Sequence, residues 1–241
     1  MKSRGIKLSA IILFSLSFTG LQAQTVKDID GNVYKAVKIG SQTWMSENLK
    51  TTKYIDGKAL SLITSNDAWA SNSNAALPKP AYCWYENDPK NKNTYGALYN
   101  GYAINGGKLC PTGWHVSTDA EWHILVLYLD PKAENSTVES SIAGNKLKET
   151  ATTHWARPNP DAWAPTPNKD VTNESGFTAL PGGIRNYDGP MVALGSLGGW
   201  WSYTGEDKSN EWNRLMSSDY GYVTKSKGNK NYGYSIRCVR D

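Results

Sequence analysis

Residues 118–130 read Thr-Asp-Ala-Glu-Trp-His-Ile-Leu-Val-Leu-Tyr-Leu-Asp. Thr118-Asp119-Ala120-Glu121 is a capping box. The Thr hydroxyl accepts from the backbone N–H of Glu121, and the Glu carboxylate reaches back to the start of the turn. Such a cap stabilises a helix by about 1 kcal/mol. Trp122, Leu125 and Leu129 then fall on one helical face, with Ile124 and Tyr128 beside them. Asp130-Pro131 stops the helix, because the residue before proline avoids the α region. A second, shorter helix is predicted over 140–149, weakened by Gly144.

Upstream of this helix the pattern is strand-like. Residues 24–53 read as a β-hairpin turning at Asp30-Gly31, with Val33, Val37 and Ile39 on one face and Gly40-Ser41 leading into Gln42–Met45. Asp28-Ile29-Asp30-Gly31-Asn32 resembles the opening of a calcium loop. It lacks the later bidentate Glu, so a plain turn is expected. Residues 54–80 read as a polar, irregular excursion. The aromatic-rich stretch 81–109 admits no assignment to strand or helix.

Downstream, residues 151–175 form a long Pro/Asn/Asp-rich loop with His154, Trp155, Trp163 and four prolines. Pro181-Gly182-Gly183 reads as a turn. From Trp200 to Val239 the pattern is of short antiparallel strands. Period 2 would bury one of Trp200 and Trp201 and expose the other. On the last strand Tyr234, Ile236 and Cys238 share one face, and Ser235, Arg237 and Val239 the other. There is no internal repeat.

The N-terminus carries Lys2, Arg4 and Lys7, then an apolar run from Leu8 to Leu21 closing on Leu21-Gln22-Ala23. That is the pattern of a cleavable signal peptide over residues 1–23; an uncleaved anchor is the alternative. The run is short and Ser-rich for a membrane span, and no second apolar run exists, so no span is expected in the mature chain. Residues 24–241 are expected to form a single exported domain, secreted, periplasmic or at the cell surface. Removing 1–23 removes three basic residues and no acid, so the formal charge falls from +4 to +1. No basic block remains, which argues against a nucleic-acid partner. The chain has ten Trp, fourteen Tyr and three Phe. Aromatics with a polar edge suit both a loop-rich domain and exposed contact surfaces. Its three cysteines, Cys83, Cys110 and Cys238, suggest one disulfide and one thiol in an oxidising compartment, with three reduced thiols as the alternative. No Cys/His spacing suggests a zinc site.

Five segments, IDGNVYKAVKIGSQTWMSENLKT (29–51), YGALYNGYAINGGKLCPTGWHVSTDAEW (95–122), ESGFTALPGGIRNYDG (174–189), WWSYT (200–204) and YGYSIRCVRD (232–241), together closely resemble the Fibrobacter succinogenes major paralogous domain family. The resemblance implies an exported or surface protein of the Bacteroidetes–Fibrobacter group, in a family whose biochemical role is largely undefined. A more distant resemblance joins GWHVSTDAEW (113–122) and GYSIRCVRD (233–241) to the formylglycine-generating, sulfatase-modifying family, with Ser117 where that family has Pro. It implies an α+β, C-type-lectin-like fold: two helices against short antiparallel strands, long irregular loops and adjacent termini. It also implies a Cys110–Cys238 disulfide, leaving Cys83 unpaired. Those relatives hold copper on paired cysteines just before the last strand. Residues 215–230 contain no Cys, so that activity is not carried over.

The histidines are His115, His123 and His154, and no nucleophile-elbow spacing joins any of them to a serine. His154 alone has the loop setting of a candidate base, and an enzyme using the 154–174 loop stays as an alternative. The same loop corresponds in rough position to the ligand loop of C-type lectins and offers Trp155, Asp161, Trp163, Asp170, Asn173 and Glu174. Exposed Trp rings stack on sugar C–H faces, and carboxylates and amides take hydroxyls or a hard cation. The Glu-Pro-Asn and Trp-Asn-Asp calcium motifs are absent. No metal or cofactor is therefore expected, calcium being the one cation these oxygens would suit. The competing reading is that the Trp rings hold the loop onto the domain. The expectation is a non-catalytic binding or adhesion-type domain recognising a glycan, peptide or surface protein. Its candidate contacts are Trp155, Asp161, Trp163, Asp170, Tyr187 and Asp188. A structural component of the envelope is a further alternative.

Overall fold

The computed structural model describes residues 24–104, 108–150, 153–156, 171–205 and 207–241. The expected signal peptide, residues 1–23, lies outside the described residues. The chain opens with β1 (Thr25–Lys27), β2 (Val33–Ile39), β3 (Gln42–Met45) and β4 (Ser61–Leu62), followed by α1 (Asn66–Ser73) and β5 (Ala81–Cys83). A single 3-10 turn, α2 (Asn91–Tyr95), β6 (Leu98–Asn100) and β7 (Trp114–Val116) lead to α3 (Asp119–Leu129). Then come β8 (Val138–Ser140), α4 (Ala143–Leu147), β9 (Gly182–Arg185), β10 (Met191–Leu194) and β11 (Leu197–Ser202). The chain ends in β12 (Asn210–Ser217), β13 (Val223–Asn229), β14 (Gly233–Tyr234) and β15 (Cys238–Arg240). The fold is α+β, mostly short strands with few helices.

The capping box forms as read. Glu121 N–H donates to the Thr118 hydroxyl at 3.2 Å, and Thr118 N–H to the Glu121 carboxylate at 2.8 Å. Trp122, Leu125 and Leu129 are buried, while Ile124 and Tyr128 stay exposed. The predicted second helix is the single turn of α4. Its Gly144 is required by packing, since a Cβ there would stand 2.6 Å from the Tyr222 carbonyl oxygen. Two further helices were not anticipated. The supposed irregular stretch 54–80 contains α1, which buries Trp69, and 81–109 contains α2 between strands whose residues are all buried.

The strands form two sheets. One runs in the order β1-β2-β3-β15-β7, so the first and last strands described share a sheet. The other runs β4-β5-β6-β14-β9-β11-β12-β13-β8, with β10 added on β9. Three hydrophobic clusters fill the interior, and neighbouring residues of one strand enter different clusters. Met45, Trp201 and Cys238 point into the first, with Tyr34, Tyr99 and Ile236. Trp44, Trp200 and Val239 point into the second, with the buried face of α3 and Phe177. Trp69, Ala81, Cys83, Tyr85 and Leu98 form the third.

That arrangement corrects three expectations. Trp200 and Trp201 are both completely buried, because β11 separates two cores and has no solvent face there. Val33 is exposed, so of the three residues expected on one face of β2 only Val37 and Ile39 pack inward, on the second core, while Tyr34 and Ala36 on the other face pack on the first. Gly182 and Gly183 lie inside β9, so they form strand where a turn was expected.

Cys110 and Cys238 are joined in a disulfide, with Cα atoms 6.0 Å apart and a sequence separation of 128. Cys83 is a buried thiol whose pKa burial pushes up to about 11, a rise the nearby Arg185 charge only tempers. In the chain-entropy model, closing so long a loop stabilises by about 5 kcal/mol. Thermal denaturation of the oxidised protein and of Cys110→Ser should therefore differ by that order. An unchanged midpoint in the variant would show that the bridge contributes nothing.

Candidate functional site

The long loop is anchored firmly at both roots. On the near side, the Trp155 indole N–H donates to the Ala179 carbonyl at 2.9 Å, and Ala156 N–H donates to the Gly195 carbonyl at 2.7 Å. On the far side, Thr172 N–H reaches the Asn145 carbonyl at 2.9 Å, and the Ser175 hydroxyl donates to the Lys146 carbonyl at 2.7 Å. Ala179 bridges to Lys148, donating to the Leu147 carbonyl at 2.8 Å and accepting from Glu149 N–H at 3.1 Å, which joins the 171–180 segment to the end of α4.

Trp155 is 4% exposed and packs in the second core, with the Lys148 ammonium 5.3 Å from its ring centroid. It therefore offers no ring face to a ligand, and the expectation that it forms part of a contact surface is corrected. Asp161, Trp163 and Asp170 lie outside the described residues. Tyr187 and Asp188 are exposed in the β9–β10 turn. β9 and β10 are antiparallel with Arg185 facing Met191 and Gly182 facing Leu194. Tyr187 thus sits at one end of this hairpin, and the Ala156 contact with Gly195 at the other. Trp155 and Tyr187 are not brought together.

The Tyr187 turn is held from below. Arg185 is fully buried and donates to the Gly189 carbonyl at 2.8 Å and to the Ser65 carbonyl at 2.9 Å, while its guanidinium lies 4.3 Å from the Trp69 ring centroid. The Tyr187 ring meets Tyr232 edge-on at 5.6 Å. Tyr232 stacks on Tyr234 at 5.9 Å, and Tyr234 contacts Trp201 at 4.6 Å. A ladder of rings therefore runs from the exposed turn into the first core.

The histidines all have carboxylate neighbours. His154 Nδ1 lies 2.7 Å from Glu149, a partner the sequence did not suggest because a five-residue spacing matches neither helix nor strand. His123 lies 3.3 Å from Glu139, which also receives Arg214 through two hydrogen bonds of 2.7 and 3.0 Å. Arg214 and Lys225 share Asp119 at 2.6 and 2.8 Å. Burial opposes the Asp119 charge, but these two cations outweigh it and hold its carboxyl below the usual range. This cluster ties β8, β12 and β13 to the start of α3. His115 bridges Asp241 at 2.6 Å and Glu121 at 2.7 Å.

The Asp28 and Asp30 carboxylates are engaged inside their own turn and its neighbour. Asp28 accepts from Asn32 N–H at 2.9 Å and from the Tyr34 hydroxyl; Asp30 accepts from the Thr52 hydroxyl at 2.9 Å. They act as turn-fixing groups. Among the described residues there is no group of three or more His, Cys, Asp or Glu side chains set to hold a metal. Among those residues no helix is long and apolar enough to cross a membrane.

The model of the Fibrobacter succinogenes major domain matches residues 37–240. The chain belongs to this family. The match begins inside β2 and ends on the last residue of β15, so it takes in both anchored loop roots and the Tyr187 turn. No curated protein and no solved structure matches the chain.

Two predictions follow from the buried and paired groups. Trp155→Ala should cost about 3–5 kcal/mol as a core truncation, read by urea denaturation; a loss under 1 kcal/mol, the range of ordinary surface changes, would return Trp155 to the surface. Burial opposes the His115 charge, but hydrogen bonds to Asp241 and Glu121 outweigh it and raise the pKa. A raised folded pKa stabilises below the unfolded value, near pH 6.5, and that contribution fades as pH rises through the folded value. Relative to His115→Gln, the wild-type midpoint should therefore fall between about pH 6 and pH 8. Parallel pH profiles for the two proteins would contradict the pairing.

Proposed function

We propose that this family member is an exported, non-catalytic recognition domain with a C-type-lectin-like arrangement, and that Tyr187 lies on its contact surface. The observation that carries the reading is Tyr187 itself. It is 53% exposed on a turn braced by a buried arginine and backed by Tyr232. An aromatic ring held out by a rigid scaffold is suited to stacking on a glycan or packing on a partner protein. Asp188 beside it supplies acceptors for hydroxyl or amide donors. The lectin-like arrangement draws support from the shared sheet of the first and last described strands, and from the disulfide joining the segment before α3 to the final strand. The signal-like residues 1–23 and the disulfide agree with an oxidising compartment outside the cytoplasm.

One observation favours a second reading, an enzyme. The Glu149 carboxylate lies 2.7 Å from His154 Nδ1, the arrangement that orients an imidazole as a general base.

The test combines mass and binding. The exported form should have the intact mass of a chain beginning at Gln24; retention of residues 1–23 contradicts cleavage. At the Tyr187 turn that form should bind a ligand, either a glycan on an array or a protein captured from the native envelope, and Tyr187→Ala should remove that binding while leaving the unfolding midpoint within experimental error. Unchanged binding by Tyr187→Ala would remove the turn from the contact surface. A hydrolytic activity lost in His154→Ala would replace the recognition reading by the second one.

A further inference from the structure

Four connectors meet at one end of the large sheet: the segment after β6, the β11–β12 loop, the β13–β14 loop and the segment after α1. The pairings Gly233 with Asn100 and Asn210 with Asn229 put three of them at the same strand ends. Between them lie two hollows, of about 360 and about 520 Å³, which share Tyr102 and Lys208. Each falls within the roughly 300–1,000 Å³ of small-ligand sites. Sharing these two wall residues, the hollows adjoin and form one cleft with room for more than one ring of a short polymer.

The cleft is preformed. Gly101 N–H donates to the Lys230 carbonyl at 2.7 Å, and Lys230 N–H donates to the Ser209 carbonyl at 2.8 Å. The first contact needs glycine, because a Cβ at 101 would stand 2.5 Å from the Lys230 side chain. The Asn231 side-chain amide donates to the Ser73 carbonyl at 3.2 Å, tying in the segment after α1. A ligand entering here meets walls already ordered, so little binding energy is lost to fixing them.

The lining chemistry selects the ligand. Tyr102 and Tyr203 are half-buried and give phenol faces and edges. Asn229 and Ser209 give an amide and a hydroxyl, with Asn231 beside them. Leu77, 86% exposed, adds an apolar wall to the larger hollow. Rings beside paired donors and acceptors match a sugar, whose C–H faces and hydroxyls alternate. Charge narrows it further. The Lys230 ammonium donates to the Asp207 carbonyl and lies 3.8 Å from the buried Glu211 carboxylate. The Asp207 carboxylate accepts from the Ser209 and Asn210 backbone N–H groups at 2.8 and 3.1 Å. Among the described residues no ion pair holds Lys208, which is exposed where the hollows join.

We propose that this cleft binds a uronic-acid-containing oligosaccharide, its rings against Tyr102 and Tyr203 and a carboxylate on Lys208. The proposal rests on the recognition reading in general and is independent of the Tyr187 turn. Titration calorimetry of the mature full-length chain tests it with three probes: hexameric oligogalacturonate, hexameric oligoguluronate and neutral cellohexaose. At least one uronate should bind more tightly than cellohexaose, with affinity falling as salt is raised. Tyr102→Ala should weaken that binding about tenfold. Lys208→Glu, a change at an exposed position that leaves the fold intact, should abolish the preference for uronate over cellohexaose. Tyr187→Ala should leave uronate binding unchanged. Equal affinity for all three probes, no uronate binding, or wild-type binding by both cleft variants would overturn the assignment. If uronate binding is instead lost in Tyr187→Ala alone, the recognition reading stands and the cleft is wrong.

Discussion

The Arg237 guanidinium is entirely buried, and the hydrogen bonds it donates end on two stretches far from it in sequence, 45–48 and 177–178. Nε reaches Asn48 Oδ1 at 2.7 Å, one terminal nitrogen reaches the Met45 and Phe177 carbonyls at 3.0 and 2.6 Å, and the other reaches the Thr178 carbonyl at 2.9 Å. Asn48 extends the network. Its Oδ1 also accepts from the Trp200 indole at 2.9 Å, and its amide donates to the Tyr95 carbonyl at 2.8 Å. The end of β3, the last residue of α2, the root of the long loop, β11 and the residue leading into β15 are thereby fixed to one another. Loss of either side chain strands several buried polar groups at once, and each unsatisfied group costs about 1–3 kcal/mol. A hydrophobic replacement for Arg237 would take this donor from three backbone carbonyls and leave Asn48 Oδ1 with the Trp200 indole alone, so packing alone cannot stand in for it.

Arg237 is one of three buried cations that hold loops by carbonyl oxygens. Arg185 clamps the 63–65 segment to the Tyr187 turn, and Lys148 donates to the Ser217 and Tyr220 carbonyls at 2.9 and 2.8 Å. Each also faces an aromatic ring: Phe177, Trp69 and Trp155 respectively. Carbonyl dipoles and ring faces neutralise a cation only in part, and for Arg237 and Lys148 burial makes the side chain more acidic. Burial lowers Arg237 to about 9 and Lys148 to about 7, with Glu47 and Asp219 offsetting little of it. Arg214 follows the other route, with Glu139 and Asp119 supplying full countercharge. The carbonyl-bound cations therefore serve geometry: a donor with three to five N–H groups can gather irregular backbone that has no ladder of its own.

What the sequence disclosed follows from how local each signal is. The α3 cap lies within four residues, so its chemistry is complete in the text of the chain. The final strand was legible because its alternate residues really do divide, Ile236 and Cys238 toward one core and Val239 toward the other. Alternation misled at Trp200-Trp201 for the same reason: period 2 separates two faces, and says nothing of whether the second face meets water or another core. The strands β5 and β6 were unreadable, since three residues buried on both sides carry no periodicity. Buried Arg185, Arg237 and Lys148 were invisible because cations ordinarily read as surface. Of the candidate contacts, Tyr187 and Asp188 lie exposed on a turn whereas Trp155 is buried; nothing local distinguishes a ring that closes a loop from one that offers itself to a ligand.

The abundance of Trp has a physical explanation that also bears on where recognition can lie. In six of the buried tryptophans the indole N–H is satisfied: Trp44 by Gln42, Trp69 by the Asn231 carbonyl, Trp122 by Ser117, Trp155 by the Ala179 carbonyl, Trp200 by Asn48 and Trp201 by the Tyr99 carbonyl. A domain with short strands and long connectors needs side chains that fill volume and also fasten backbone, and the indole does both. Four of these bonds reach across more than twenty residues to a carbonyl or to Asn48, so the rings act as fasteners between distant segments. Composition therefore overstates the aromatic surface: most of these rings are already committed to the core. Recognition falls to the aromatics that the core leaves uncovered, such as Tyr187 at the hairpin turn and Tyr102 and Tyr203 at the strand ends. Each of them stands on backbone that a buried cation or a main-chain bond has already fixed.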